Sequence, residues 1–221
     1  MTPAEVAHMS VTTPLPDGTL LHLRPIVPSD ATLLGEGFRR LSPESRFLRF
    51  FSPMEHLSST QLRYFTEIDY VDHFAWVATV AAHHDPTVTA DAAGEIGVGV
   101  ARYIRLTDTP GAAEAAVAVA DDQHGKGIGT ILLESLAAVA LNRGIDAFHL
   151  LVRADNNAMI AVMTGLGAAR SSSDDPSTIC FVLDLPAMQD DLRSTVLWKV
   201  FRTVGSGSAE LSSTLRRRAE G

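Results

Sequence analysis

A carboxylate, a short apolar run and three alternating glycines stand together between residues 113 and 133. Glu114 heads the run 115–120 (AAVAVA), Asp121 and Asp122 close it, and His124, Gly125, Lys126, Gly127, Ile128, Gly129 and Thr130 lead into Ile131, Leu132 and Leu133. The run is too short for a buried helix and reads as an inner strand. Glycine at every second position tolerates positive φ and lets the backbone come close to a ligand. Several amides then point into one concavity at a helix N-terminus, where the dipole also favours an anion. The arrangement suits a diphosphate; a tight strand-to-helix turn without a ligand is the plainer alternative.

The spacing fails two common phosphate loops. A P-loop carries Lys after its last glycine, whereas Lys126 lies between two glycines. A dinucleotide fingerprint needs G-x-G-x-x-G and a ribose-binding acid about 20 residues on. Here the turn is G-x-G-x-G, and Asp146 follows Gly129 by 17 positions, a poor match. Glu114 is the one acid in the strand ahead of the glycines. At the head of an apolar strand it is expected to be partly desolvated, which strengthens it as a base; a solvated strand-end acid is the alternative.

The flanking segments must position these groups. Residues 1–17 carry three prolines and little periodicity and read as a loose arm. Residues 20–24 (LLHLR) read as the first strand. Ser29-Asp30 can cap a helix from Ala31 with a Leu33, Leu34, Phe38 stripe, and Pro43 suits the first turn of a second helix. Ser58 and Gln61 form a capping box. Residues 74–82 and 94–106 read as further strands, the latter with glycines that suggest bulges or close packing. After 115–120 comes a helix ending near Gly144, a strand over 147–152, a short helix over 157–166 ending at Gly167, and a last strand over 178–185. The pattern predicts a mixed α/β layer around one sheet.

The glycine run resembles the acetyl-CoA motif [RQ]-x-x-G-x-[GA] of the GCN5-related N-acetyltransferase (GNAT) family, with His124, Gly127 and Gly129 on its fixed positions. The element order matches over residues 18–186. Leu41-Ser42-Pro43-Glu44-Ser45-Arg46, Arg49-Phe50-Phe51, Asp69-Tyr70 and Gly99-Val100-Ala101-Arg102-Tyr103 resemble the acetyltransferase domain of bacterial protein lysine acetyltransferases. The resemblance implies a largely antiparallel sheet of six to seven strands flanked by about four helices, with acetyl-CoA as co-substrate and no metal. It implies that Val117, Ala118 and Val119 pair with the pantetheine arm and that residues 124–130 hold the diphosphate. Asn156 matches a cofactor-contacting Asn, with a helix cap, shared with Asn157, as its other reading. Glu114 matches the catalytic glutamate, ten positions before His124; in histone-type relatives that residue falls at Ala113. Met163 stands where many members place a proton-donating Tyr, and Met cannot donate. The implied reaction is transfer of acetyl to a primary amine, chiefly a protein lysine. A small-molecule amine or a non-catalytic acyl-CoA-binding role are the alternatives.

The whole chain sets bounds on this. It has 221 residues and a formal charge of −8, which argues against general nucleic-acid binding and favours cationic acceptors. No apolar run approaches a bilayer span, the N-terminus lacks a signal peptide's pattern, and the single Cys180 fits a reducing cytoplasm. Cys180 reads as core, and His73 beside Asp72 as a structural group, with a second base or a pH-sensitive group as the alternative. From 187 to 221 an apolar stripe of Met188, Leu192, Val196, Val200 and Val204 predicts a helical extension that packs on the domain or a second subunit. Gly205-Ser206-Gly207-Ser208 and a basic tail follow.

Overall fold

The strand segments alternate in burial and pair into one eight-stranded sheet in the computed structural model, which describes residues 9–82, 94–171, 173 and 175–192. β1 (Val11–Pro14), β2 (Leu20–Pro25), β3 (His73–Ala81), β4 (Glu95–Arg105) and β5 (Ala112–Val119) are successive antiparallel neighbours. β6 (Ala147–Arg153) joins β5 in parallel, then β8 (Thr178–Asp184) and β7 (Ala169–Ser171) complete the order β1-β2-β3-β4-β5-β6-β8-β7. The helices are α1 (Ala31–Arg40), α2 (Pro43–Phe50), α3 (Ser59–Thr66), α4 (Ile128–Leu141), α5 (Asn157–Gly165) and α6 (Leu185–Leu192).

The strand count differs from the expectation. The sheet has eight strands rather than six or seven, because Val11–Pro14 of the expected loose arm pairs with β2 and buries Val11, and because β7 is added at the far edge. Six helices stand among the described residues: five beside the sheet, three of them in the β2–β3 connection, and α6 at the start of the expected C-terminal extension. The C-terminal helix begins at Leu185 and buries Leu185 and Met188; the stripe beyond Leu192, and the dimer contact expected of it, lie outside the described residues. No helix among the described residues is long and apolar enough to cross a membrane.

Local signals hold where a side chain can act on its own backbone. Ser42 Oγ accepts from the Ser45 N–H at 3.1 Å with Pro43 in the first turn, and Ser58 and Gln61 form the reciprocal capping box. Gly144 and Gly167 take positive φ after α4 and α5. Asp30 departs from its expected role: it makes no side-chain cap, because its carboxylate is held by Arg24 at 2.7 Å through both oxygens.

The sheet separates two apolar layers. α4 is apolar nearly all round and packs Leu132, Leu133 and Leu136 on the face that carries Ala101, Tyr103, Ala113 and Ala115. α1 to α3 cover the opposite face with a separate cluster around Phe38, Leu41 and Leu57. On β4 a bulge lies opposite Ala78 and Thr79, among the glycines; a Cβ on Gly99 would stand 2.9 Å from the Leu132 side chain, so this glycine permits close helix–sheet approach.

Candidate active site

The site begins where two strands part. β5 and β6 pair only at Ala112, Ala113 and Glu114, opposite Ala147, Phe148 and His149. Beyond Glu114 the strands splay, although β5 runs on to Val119 and β6 to Arg153. β4 satisfies the other edge of β5 along its length, so the β6-facing amides and carbonyls of residues 115–119 have no strand partner. The wedge opens a cleft of about 870 Å³ lined by residues 114–119, by Leu150, Leu151 and Val152, and by the glycine run. This falls in the range that encloses cofactor-sized ligands. From Glu114 to Val119 the free edge extends roughly 17 Å at the usual strand rise.

At its far end lies the N-terminus of α4. Gly127 is the N-cap, with φ 81° and ψ 2°, and supplies no side-chain cap; Gly125 has φ 76°. A Cβ on either glycine would meet no protein atom within 4 Å. The first-turn amides are therefore left to a ligand, and the residues present fit an anionic group there. Gly125, Gly127, Ile128, Gly129 and Thr130 line the cleft, together with His124. The His124 Nε2–H donates to the Val119 carbonyl at 2.9 Å, so that side chain is spent on the end of β5. Lys126 is not part of the lining; its ammonium is held by Asp17 at 3.2 Å and by Gln123 at 3.0 Å. A phosphate contact from its side chain would require those partners to release it.

The preceding turn is clamped to the α1–α2 junction. Asp121 accepts from the Ser42 N–H at 2.7 Å, and Arg40 pairs with Asp122 at 3.0 Å. Burial pushes the Asp121 carboxyl up, but hydrogen bonds from Ser45 and Ser42 prevail and hold it below the usual carboxylate range.

Glu114 sits at the apex of the wedge. Because β5 starts at Ala112, Glu114 is its third residue, flanked by buried Ala113 and Ala115. It is exposed. It faces the α1–α3 side with Ala116 and Ala118, opposite Ile104, Arg102 and Val100, while Val117 and Val119 pack toward α4. A shift of one residue, to Ala113, would place the carboxylate in the core. Asn156 lines the cleft and also caps α5, its Oδ1 accepting from the Met159 N–H at 3.0 Å. The cap uses Oδ1, so it does not compete with a contact made through Nδ2. Asn157, the other cap contender, is the first residue of α5.

Met163 is wholly buried, and Met159 and Val162 face the cleft instead. No tyrosine replaces it among the described residues lining the cleft. The Tyr70 and Tyr103 hydroxyls donate to the Ile26 and Val71 carbonyls. His73 is no partner of Asp72, which is bound by Arg105 at 2.7 Å. Its Nε2 stands 3.1 Å from Arg102 Nη1, and burial and the Arg102 charge hold it down to about 4, against Asp69. Cys180 lies half-buried in β8, away from the cleft lining. Among the described residues no cluster of His, Cys, Asp and Glu is arranged to hold a metal ion.

Three residues in or beside the site were given no role by sequence reasoning. His149 is paired in register with Glu114 across the parallel strands. Arg49 lines the cleft from α2; burial lowers the pKa of its guanidinium, opposed by the Glu114 charge. Arg102 is 5% exposed, pushed down to about 9 by burial and by Arg49, with Tyr64 opposing. A charge in the middle of the apolar strand VGVARYI was the available signal for Arg102.

The chain is similar to known proteins. Residues 51–168 match the model of the acetyltransferase (GNAT) family. The chain is 36% identical over 160 residues to acetyltransferase Pat of Mycolicibacterium smegmatis, covering 71% of this chain but 44% of that protein. It is 32% identical over 165 residues to acetyltransferase PA5475 of Pseudomonas aeruginosa, covering 74% of this chain and 83% of that protein. Among solved structures, the GNAT domain of S. lividans PAT superposes with a TM-score of 0.70 at 32% identity, over 80% of this chain and 98% of that one. The family model spans more than half of the chain, and the fold and sequence matches run across most of it: the chain belongs to the acetyltransferase (GNAT) family.

Proposed function

We propose that this chain moves an acetyl group from acetyl-CoA to a primary amine, a protein lysine side chain by preference, with Glu114 as general base. The observation that carries the reading is the fork. Its free β5 edge can pair with the two amides of an extended pantetheine arm, as an added half-strand would. The α4 N-terminus at one end suits the diphosphate, which brings the thioester toward Glu114 at the other.

In this reading the acceptor reaches Glu114 from the α1–α3 side. The carboxylate is exposed, so it takes the ammonium proton directly or through water, and the neutral amine attacks the thioester carbon. A backbone N–H on the free edge faces the developing oxyanion. With Met163 buried, solvent supplies the proton for the departing thiolate. The exposed Phe51 and Leu151 at the cleft rim offer an apolar landing for a protein acceptor. A small amine is the second reading, favoured by the small pocket that adjoins the cleft on the acceptor side.

Incubation with isotopically labelled acetyl-CoA and candidate proteins, followed by mass spectrometry, tests the proposal. Labelled lysine with wild type and not with Glu114→Gln is expected. Tight CoA binding with no transfer to any amine would leave only a binding module.

A further inference from the structure

The sheet face opposite α4 holds a second cavity, of about 70 Å³, walled by apolar residues of α1, α2 and β4. It joins the donor cleft, since Leu41, Arg49, Phe50, Ala118 and Val119 line both. Three charged side chains reach it: Asp30, Arg49 and Arg102. Asp30 is already committed, to Arg24 at 2.7 Å through each oxygen and to the Val27 N–H at 2.8 Å.

Neither arginine forms an ion pair among the described residues, and the exposed Glu114 acts on Arg49 only through its charge. Arg102 is 5% exposed and lies over the Phe65 ring at 4.4 Å. Its Nη1 donates to the Phe65 carbonyl at 3.3 Å and lies 3.1 Å from His73 Nε2, while Nε and Nη2 have no acceptor among the described residues. Arg49 stacks on Phe50 at 4.9 Å and makes no hydrogen bond or ion pair among the described residues. Even at about 9, Arg102 remains charged at neutral pH. The buried Arg102 leaves N–H donors unmatched, which is costly, and the partly exposed Arg49 adds a second positive charge that repels it beside the same apolar cavity, so an anion between them would relieve both. The planar guanidinium fork suits a carboxylate.

We infer that this cavity binds a carboxylate between Arg102 and Arg49, presented either by an amino-acid acceptor or by a dicarboxylic acyl chain on the donor. The inference rests on the reading of the adjoining cleft as the donor site. At roughly 10–15 Å³ per water-sized site, the cavity takes a carboxylate and a few carbons but not a polypeptide segment.

Initial rates of CoA release from the wild-type chain test it in two arms. In the first, acetyl-CoA is offered with L-methionine against 3-(methylthio)propylamine, and with L-lysine against cadaverine. In the second, succinyl-CoA is compared with butyryl-CoA on one carboxylate-free amine. A kcat/KM advantage of about 10- to 100-fold for the carboxylate partner is expected in one arm, and that arm identifies the source. The advantage should collapse to within about threefold in R49Q, which removes no hydrogen bond of the fold, and in R102Q if it folds. Thermal stabilisation of the donor-free protein by the amino acid, and not by its amine, reads the site even where no transfer occurs. That keeps a failed transferase reading distinct from a failed anion site. The proposal is overturned if wild type shows no carboxylate preference in either arm and no such stabilisation, or if the preference survives in R49Q.

Discussion

A glutamate at position 127 separates the cost of backbone strain from the cost of charge. Gly127 caps α4 at φ 81°, and a Cβ there meets no protein atom within 4 Å. Any L-residue therefore brings the left-handed penalty of about 1–2 kcal/mol. For a chain of this size that lowers Tm by roughly 2–8 °C. The penalty is present in free and bound protein alike, so it cancels from the binding equilibrium. The carboxylate does not cancel. With one phosphate charge at ~5 Å and an effective dielectric of ~20, the repulsion is about 3 kcal/mol. That raises Kd for CoA by roughly 100- to 250-fold. Gly127→Ala is the control, with the same backbone penalty and Kd within about threefold of wild type. Calorimetric titration with CoA, beside melting curves for each variant, reads both quantities. A folded Gly127→Glu that binds CoA like wild type would refute the cradle, as would Gly127→Ala losing as much affinity as the glutamate.

Three further outcomes are expected. Glu114→Gln should lower kcat by about 10²- to 10⁴-fold with CoA affinity unchanged; a wild-type kcat in steady-state assays would remove Glu114 from the chemistry. Burial and Arg102 hold His73 at about 4, from an ordinary 6.5, so the unfolded chain takes up this proton before the folded one. Stability is then full above pH 6.5 and falls through the window from 6.5 to 4, by about 2–3 kcal/mol. In His73→Gln that part of the loss should vanish, read from urea midpoints at pH 7 and 5, and an identical pH slope in both proteins would contradict it. Asn156→Ala should lose a cap, about 1 kcal/mol, together with some CoA affinity. Asn156→Ser keeps the cap and should lose affinity alone, about 3- to 10-fold; unchanged affinity in the serine variant would leave Asn156 a cap and nothing more.

Much of this site was legible because its signals are local. Alternating glycines ahead of an apolar helix, Ser42-Pro43 and the Ser58–Gln61 pair each act on their own neighbouring backbone, and each is found in place. Long-range pairing was not legible. Val11–Pro14 carries a proline and little periodicity, and becomes a strand only because β2 offers it an edge. The free edge beyond Glu114 depends on β6 leaving β5 after His149, which no spacing within either strand reveals. Lys126 looks like a phosphate ligand until Asp17, more than a hundred residues earlier, is brought beside it. Arg49 and Arg102 are separated by helix α3 and strand β3, and their shared cavity exists only in the folded chain.

A crystal structure of the protein with acetyl-CoA tests the donor site most directly. The diphosphate should lie within hydrogen-bonding distance of the amides of residues 125–130, with the pantetheine amides on the free edge of residues 115–119 and the thioester beside Glu114. A nucleotide bound elsewhere, with β5 and β6 closed on each other or the α4 N-terminus covered by protein side chains, would contradict it.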